Sequence, residues 1–108
     1  MDEAAIRGRL TAMLEALDDE SAGSSAARRP VELDQQSVGR LSRQDALQRQ
    51  AMAEAEERRR ALQRRRVQAA LKRLDQDDYG LCGACGEEIA PARLERDPAT
   101  AFCVDCAR

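Results

Sequence analysis

Four cysteines, spaced Cys82-x2-Cys85-x17-Cys103-x2-Cys106, restrict this chain more than any other feature. Each CxxC can turn two thiolates toward one ion, and the insert brings the second pair back to the first. Four sulfurs in a closed tetrahedral shell are the ordinary structural zinc site. Gly83 and Gly86 permit the tight turn of a knuckle, where backbone N–H groups approach the sulfurs. The chain has no His, and no fifth ligand is evident. The site therefore reads as structural rather than water-activating. Four thiolates on Zn²⁺ leave two negative charges, which Arg93, Arg96 and Arg108 can offset. Iron on the same ligand set, two disulfides, and a thioredoxin-like redox pair are the rivals. The last wants a βαβ setting, and none is visible.

Such a staple suits the composition. The 108 residues include one Phe, one Tyr and no Trp, and Ala supplies much of the 43% apolar content. Little surface can be buried, so metal binding is expected to supply much of the folding energy of residues 79–108. Ile89, Leu94 and Phe102, with Tyr79 and Leu81, are the expected mini-core. The net charge is −2, from 18 basic and 20 acidic side chains, which argues against a generic nucleic-acid binder. Within 79–108 the arginines face Glu87, Glu88, Glu95, Asp97 and Asp105, which disfavours phosphate contact. No recognition helix, no nucleophile–base set and no open metal position is present, so neither base readout nor catalysis is expected. No apolar run is long enough to span a membrane. The start, MDEAAIRGRL, lacks the basic and apolar regions of a secretory signal. A cytoplasmic setting is expected, where CxxC pairs read as metal ligands first.

Upstream of the cysteines the pattern is helical. In residues 2–20, Ile6, Leu10, Met13 and Leu17 recur at spacings of four, three and four, and Leu14 widens the seam. Residues 21–30, SAGSSAARRP, break the helix, with a turn at Ala26 to Arg29 that Pro30 ends. Residues 31–42 read as loop. Ser42 reads as the next cap, with Asp45 completing a variant capping box. From Arg43 to about Leu74 strong helix formers run without Gly or Pro, a span of roughly 50 Å. Its apolar seam reads Leu47, Ala51, Ala55, then Arg58, Leu62, and on a shifted face Val67, Ala70, Leu71 and Leu74. Glu54–Arg58 and Glu56–Arg60 are spaced for favourable i,i+4 pairs. The simplest architecture is mainly α: a long antiparallel helical hairpin, or coiled coil, with a small C-terminal four-cysteine zinc finger. The hairpin occupies 1–77, with its tip around 21–42, and the finger 78–108.

The stretch DDYGLCGACGEEIAPARLERDPATAFCVDC resembles the C4 zinc finger of the bacterial DksA/TraR family. The resemblance rests on Asp77, Asp78, Tyr79, Gly80, Cys82, Cys85, Gly86, Ile89, Arg93, Leu94, Glu95, Pro98, Ala99, Cys103 and Cys106. It implies a short member without the family's longer N-terminal region. It also implies a long antiparallel coiled coil carrying a zinc-bound globular end, with Tyr79, Gly80, Gly86, Ile89, Arg93 and Leu94 structural around the finger. Such proteins bind RNA polymerase, not promoter DNA. Their coiled coil enters the secondary channel and its acidic tip approaches the catalytic centre, sometimes together with guanosine tetraphosphate.

The DxxDxA tip of the best-known members is absent here. The corresponding stretch offers Asp34 and Asp45, with Ala46 beside the second. Asp34, Arg40, Arg43, Asp45 and Ala46 are the tip residues expected to meet a partner. Helix capping by Asp45 and simple solvation of the others are the alternatives. The basic run Arg58 to Arg73 reads first as a charge-laced helix face. Two functions follow: an RNA polymerase-binding regulator acting by insertion, or a zinc-stabilised helical adaptor for another protein. A monomer is expected, and the spare length of the second helix is the place for any self-association.

Overall fold

A computed structural model describes residues 2–30 and 40–107. Two helices dominate it. Helix α1 spans Glu3–Gly23 and α2 spans Arg40–Asp75. A single turn of 3-10 helix lies at Ala26–Arg28, and a short helix, α3, at Pro91–Arg96. The molecule measures 61 × 29 × 20 Å, with a radius of gyration of 19.3 Å. A compact chain of this length would have a radius near 13 Å, so the shape is that of an arm.

Local chemistry accounts for the ends of the elements. The Asp2 carboxylate caps α1 by accepting from the Ala5 N–H at 3.2 Å. At the other end the Ser24 hydroxyl and the Arg28 guanidinium both donate to the Ser21 carbonyl, which has lost its helical partner. The helix thus runs to Gly23, past the expected end at residue 20. Arg29 is extended ahead of Pro30, as the proline ring requires. Helix α2 begins at Arg40 rather than Arg43. Ser42 and Asp45 therefore lie inside the helix, and the expected capping box does not form. Its far end closes with the Asp78 N–H on the Arg73 carbonyl and the Asp77 N–H on the Leu74 carbonyl. Asp77 sits at φ 59, the left-handed position that usually falls to glycine in this closure.

The two long helices pack antiparallel. Arg7 meets Asp75 at 2.8 Å, Arg64 meets Asp18 at 2.9 Å, and Arg60 reaches Ser24 at 2.8 Å. Near the finger the interface is apolar. Leu10, Val67, Ala70 and Leu74 are buried together, with Ile6, Met13, Leu14, Leu17 and Leu71 packed around them. The α1 seam read from the sequence is the one found.

The α2 seam is not. Its inward line is Ala46, Gln50, Ala53, Glu57, Arg60, Arg64, Val67, Leu71 and Leu74, all buried or half-buried. These positions alternate by four and three, the spacing of a helix kept against a partner. Leu47 and Leu62 point outward, 47% and 56% exposed, and Arg58 is exposed with them. The expected seam through Leu47, Ala51, Ala55, Arg58 and Leu62 is the outer side of the arm. Once Val67 and Leu74 face α1, helical geometry leaves no choice about the residues one and two heptads earlier. Arg60 on that line, with Glu57 and Arg64 beside it, is charged and Ala53 is small, which hid the register. Among the described ion pairs, Arg60 joins Glu57 at 2.9 Å rather than Glu56, and Glu54 accepts from Gln50 rather than pairing with Arg58.

Candidate metal centre

The finger is folded around a very small amount of secondary structure. Leu81 and Glu88 form one antiparallel bridge. Beside it the Cys82 N–H donates to the Glu87 carbonyl at 2.8 Å and the Gly86 N–H to the Cys82 carbonyl at 3.0 Å. Gly86 turns at φ 77 and Gly80 at φ 89, where a side chain would be strained. This first knuckle presents Cys82 and Cys85. The second presents Cys103 and Cys106 and is closed by the Ala107 N–H on the Cys103 carbonyl at 3.0 Å. Gly83 N–H ties the knuckles together through the Ala101 carbonyl at 2.8 Å.

The four ligand sulfurs lie within 4.8 Å of one another. The Cys85 and Cys103 sulfurs are 3.8 Å apart, and all four cysteines are free thiols. A disulfide needs about 2.05 Å, so neither bridge is present. With Zn–S bonds of about 2.3 Å, a regular tetrahedron has edges of about 3.8 Å. The quartet fits one structural zinc ion. Backbone N–H groups from Cys103, Cys85 and Ala84 converge on the Cys82 sulfur and hold its pKa down to about 6. The thiols of Cys103, Cys85 and Cys82 crowd Cys106 and push it up to about 12. At Cys85 the Glu87 N–H lowers the pKa, but the Cys82 thiol, burial and the Cys103 thiol together raise it. Sulfurs crowded this closely resist ionising together without a cation among them. A zinc ion held by Cys82, Cys85, Cys103 and Cys106 would supply the missing positive charge.

Around the site, Ile89 and Leu94 are buried against Cys82, with Tyr79, Cys103 and Cys106 beside them. Pro91 opens α3, where its missing N–H costs nothing. Arg93 donates from Nε to the Phe102 carbonyl at 2.9 Å, which clamps α3 to the second knuckle. Phe102 and Leu81 are not in the mini-core as expected. They are 44% and 39% exposed, and the buried centre of the finger is Cys82, Ile89 and Leu94 instead.

The finger is bolted to the hairpin by contacts the sequence did not reveal, some of them made by motif residues such as Tyr79 and Ala99. Arg9 donates to the Glu95 carbonyl at 2.9 Å, and Arg66 pairs with Asp97 at 2.6 Å. Ala99 is buried in the same cluster as Leu10 and Val67. Tyr79 packs against both clusters, and its hydroxyl donates to the Pro98 carbonyl at 2.8 Å. Burial pushes the Tyr79 phenol up, which keeps the donated proton in place. The segment from Asp97 to Thr100 is thus part of the hairpin's base. Arg-Asp pairs so far apart in sequence leave no local periodic signal. Only the buried small residue Ala99, inside a motif otherwise rich in charge, hinted at a packed surface.

The tip residues are placed at the opposite end. Arg43 and Ala46 are half-buried near the start of α2 and Asp45 is exposed beside them. Thirty residues of helix separate Asp45 from Asp75, a distance of about 45 Å. Arg40 opens α2, and Asp34 lies outside the described residues. No helix among the described residues is long and apolar enough to cross a membrane.

Comparison with known proteins agrees with this geometry. Residues 77–108 match the family described as the prokaryotic dksA/traR C4-type zinc finger. A 42-residue stretch, 39% of the chain, is 50% identical to the RNA polymerase-binding transcription factor DksA of Haemophilus influenzae. The stretch shared with DksA of Escherichia coli K12 is 38% identical over the same length. These matches span only 29% and 28% of the two relatives. The structure of transcription factor DksA2 from Pseudomonas aeruginosa superposes with a TM-score of 0.75 over 97% of this chain and 79% of that one, at 20% identity. The DksA2 likeness concerns the fold, and the finger match concerns the site. Together they show a C4 zinc finger of the dksA/traR type at residues 77–108, carried on a fold similar to that of DksA2.

Proposed function

We propose that this protein binds RNA polymerase and regulates transcription by inserting its helical arm into the secondary channel, without reading a base sequence. The observation that carries the proposal is the 42-residue stretch that is 50% identical to a protein named an RNA polymerase-binding transcription factor. The arm supports it. A 36-residue α2 is about 54 Å long, enough to carry its far end well away from the finger. On this reading the finger and hairpin base position the arm, and 1–77 and 78–108 divide the work as arm and anchor. Asp34, Arg40, Arg43, Asp45 and Ala46 are the proposed contacts at the far end. Zinc held by Cys82, Cys85, Cys103 and Cys106 is structural and takes no part in chemistry.

A second reading has its own support. Leu47, Met52 and Leu62 are all exposed on α2, which suits an adaptor for a different protein.

The test is binding of the zinc-loaded chain to core RNA polymerase from the same source, with and without a ligand known to occupy the secondary channel. Micromolar or tighter binding that the competitor displaces is the expected result. Binding that survives the competitor removes the insertion. No binding at tens of micromolar removes the polymerase as partner and favours the adaptor.

A further inference from the structure

The seam of the hairpin changes chemistry part-way along. From the finger as far as Leu17 it is apolar, and Leu10 and Val67 are fully enclosed. Beyond Asp18 it is polar apart from small alanines, of which Ala53 is buried. Glu57 is the centre of this zone. Its Oε1 accepts from the Ser21 hydroxyl at 2.8 Å and its Oε2 from Arg60 at 2.9 Å, with Arg28 standing 3.6 Å away. Arg60 also donates to the Ser24 hydroxyl at 2.8 Å. Arg64 closes the zone by donating to Asp18 at 2.9 Å and to the Ser21 hydroxyl at 3.2 Å.

Opening the two zones costs different things. Residues 19–30 carry no apolar side chain larger than Ala apart from Pro30, so parting them from α2 exposes little apolar surface. Their hydrogen bonds exchange for bonds to water, a net loss of roughly 1 kcal/mol each. Water is already at hand, since the Glu57, Arg64 and Arg28 side chains are 22%, 26% and 28% exposed. Opening the apolar zone instead uncovers two fully buried side chains and detaches Ala99 and the finger. The end of α1 beyond Leu17 is also under two turns long, too short to stay helical without its partner.

We propose that the polar zone around Glu57 opens as a separate unit. The arm splays at its far end while the apolar zone and finger stay closed, and ionic strength sets how often it does so. The device goes beyond the polymerase reading and holds whatever the arm binds. An arm with a stiff base and an adjustable far end can adapt its width to the site it enters.

Native-state hydrogen exchange on the zinc-loaded full chain tests it. In the wild type, amides from Ser21 to Arg28 exchange at least about tenfold faster than those from Leu10 to Leu17. Glu57→Gln, which removes the charge and keeps the shape, speeds the first group by a further factor of about ten and leaves the second unchanged. Added salt acts on the first group in the same sense without any substitution. Leu10→Ala, by contrast, speeds the second group. Equal acceleration of both groups by Glu57→Gln or by salt overturns the proposal, because the hairpin then opens in one step. So does no acceleration of either.

Discussion

The register of α2 makes Leu10 and Leu62 a decisive pair. Both are leucines in long helices, and periodicity alone placed both in the seam. The structure encloses Leu10 completely, against Val67, Ala70, Leu74 and Ala99, and leaves Leu62 more than half exposed. Leu10→Ala removes a fully buried side chain where two of the neighbours are alanines, which cannot swing in to fill the space. Transfer and cavity costs together come to about 3 kcal/mol. Leu62→Ala removes surface already in water and slightly favours the helix, so its effect stays within about 0.5 kcal/mol. Urea unfolding of the zinc-loaded protein, followed by helical circular dichroism, reads both. With an m-value of about 1.5 kcal/mol/M, the midpoint falls by about 2 M for Leu10→Ala and hardly moves for Leu62→Ala. Equal losses for the two substitutions would refute the register, because they would mean that Leu62 also packs against a helix within the chain.

Other outcomes follow from the joint and the ends. Cys103→Ser should abolish stoichiometric zinc in native mass spectrometry, and chelation of the wild type should erase the amide protection of residues 79–107. Tyr79→Phe deletes the hydroxyl that donates to the Pro98 carbonyl and should cost about 1 kcal/mol in the same urea titration, with zinc content unchanged. Asp77→Gly relieves a left-handed φ of 59 and should raise stability by about 0.5–1 kcal/mol. The Ser21 hydroxyl, and then Arg60, hold the Glu57 carboxyl below its ordinary value of 4.5, with Arg28 adding to the effect. Arg64, Asp18 and Ser24 complete the groups around it. A lowered folded-state pKa means that the unfolded state binds the proton first. The stabilisation is therefore whole above about pH 4.5 and is lost as pH falls through the lower value. Relative to intrinsic exchange rates, protection of Ser21 to Arg28 should fall in that acid range by more in the wild type than in Glu57→Gln.

The finger was legible because its information is local. Metal geometry dictates ligand type and spacing, so Cys82, Cys85, Cys103 and Cys106 could be named, and matched to one ion, before any coordinates. The existence of two long helices and the apolar stripe of α1 were legible for the same reason, since each is written in adjacent turns of one chain. What one helix turns toward another is a different kind of fact. The outward stripe Leu47, Ala51, Ala55 and Leu62 is as periodic as the inward line through Gln50, Glu57, Arg60 and Arg64, and more apolar. Hydrophobic pattern alone chooses the wrong one. The choice is made by Val67 and Leu74 packing on Leu10, by Ala99 arriving from the finger, and by the fixed turn of the helix that carries the register outward. Burial of a few side chains at the base of the arm thus sets the face of every residue beyond it. That is a property of two helices and a finger in contact, and no single segment of sequence contains it.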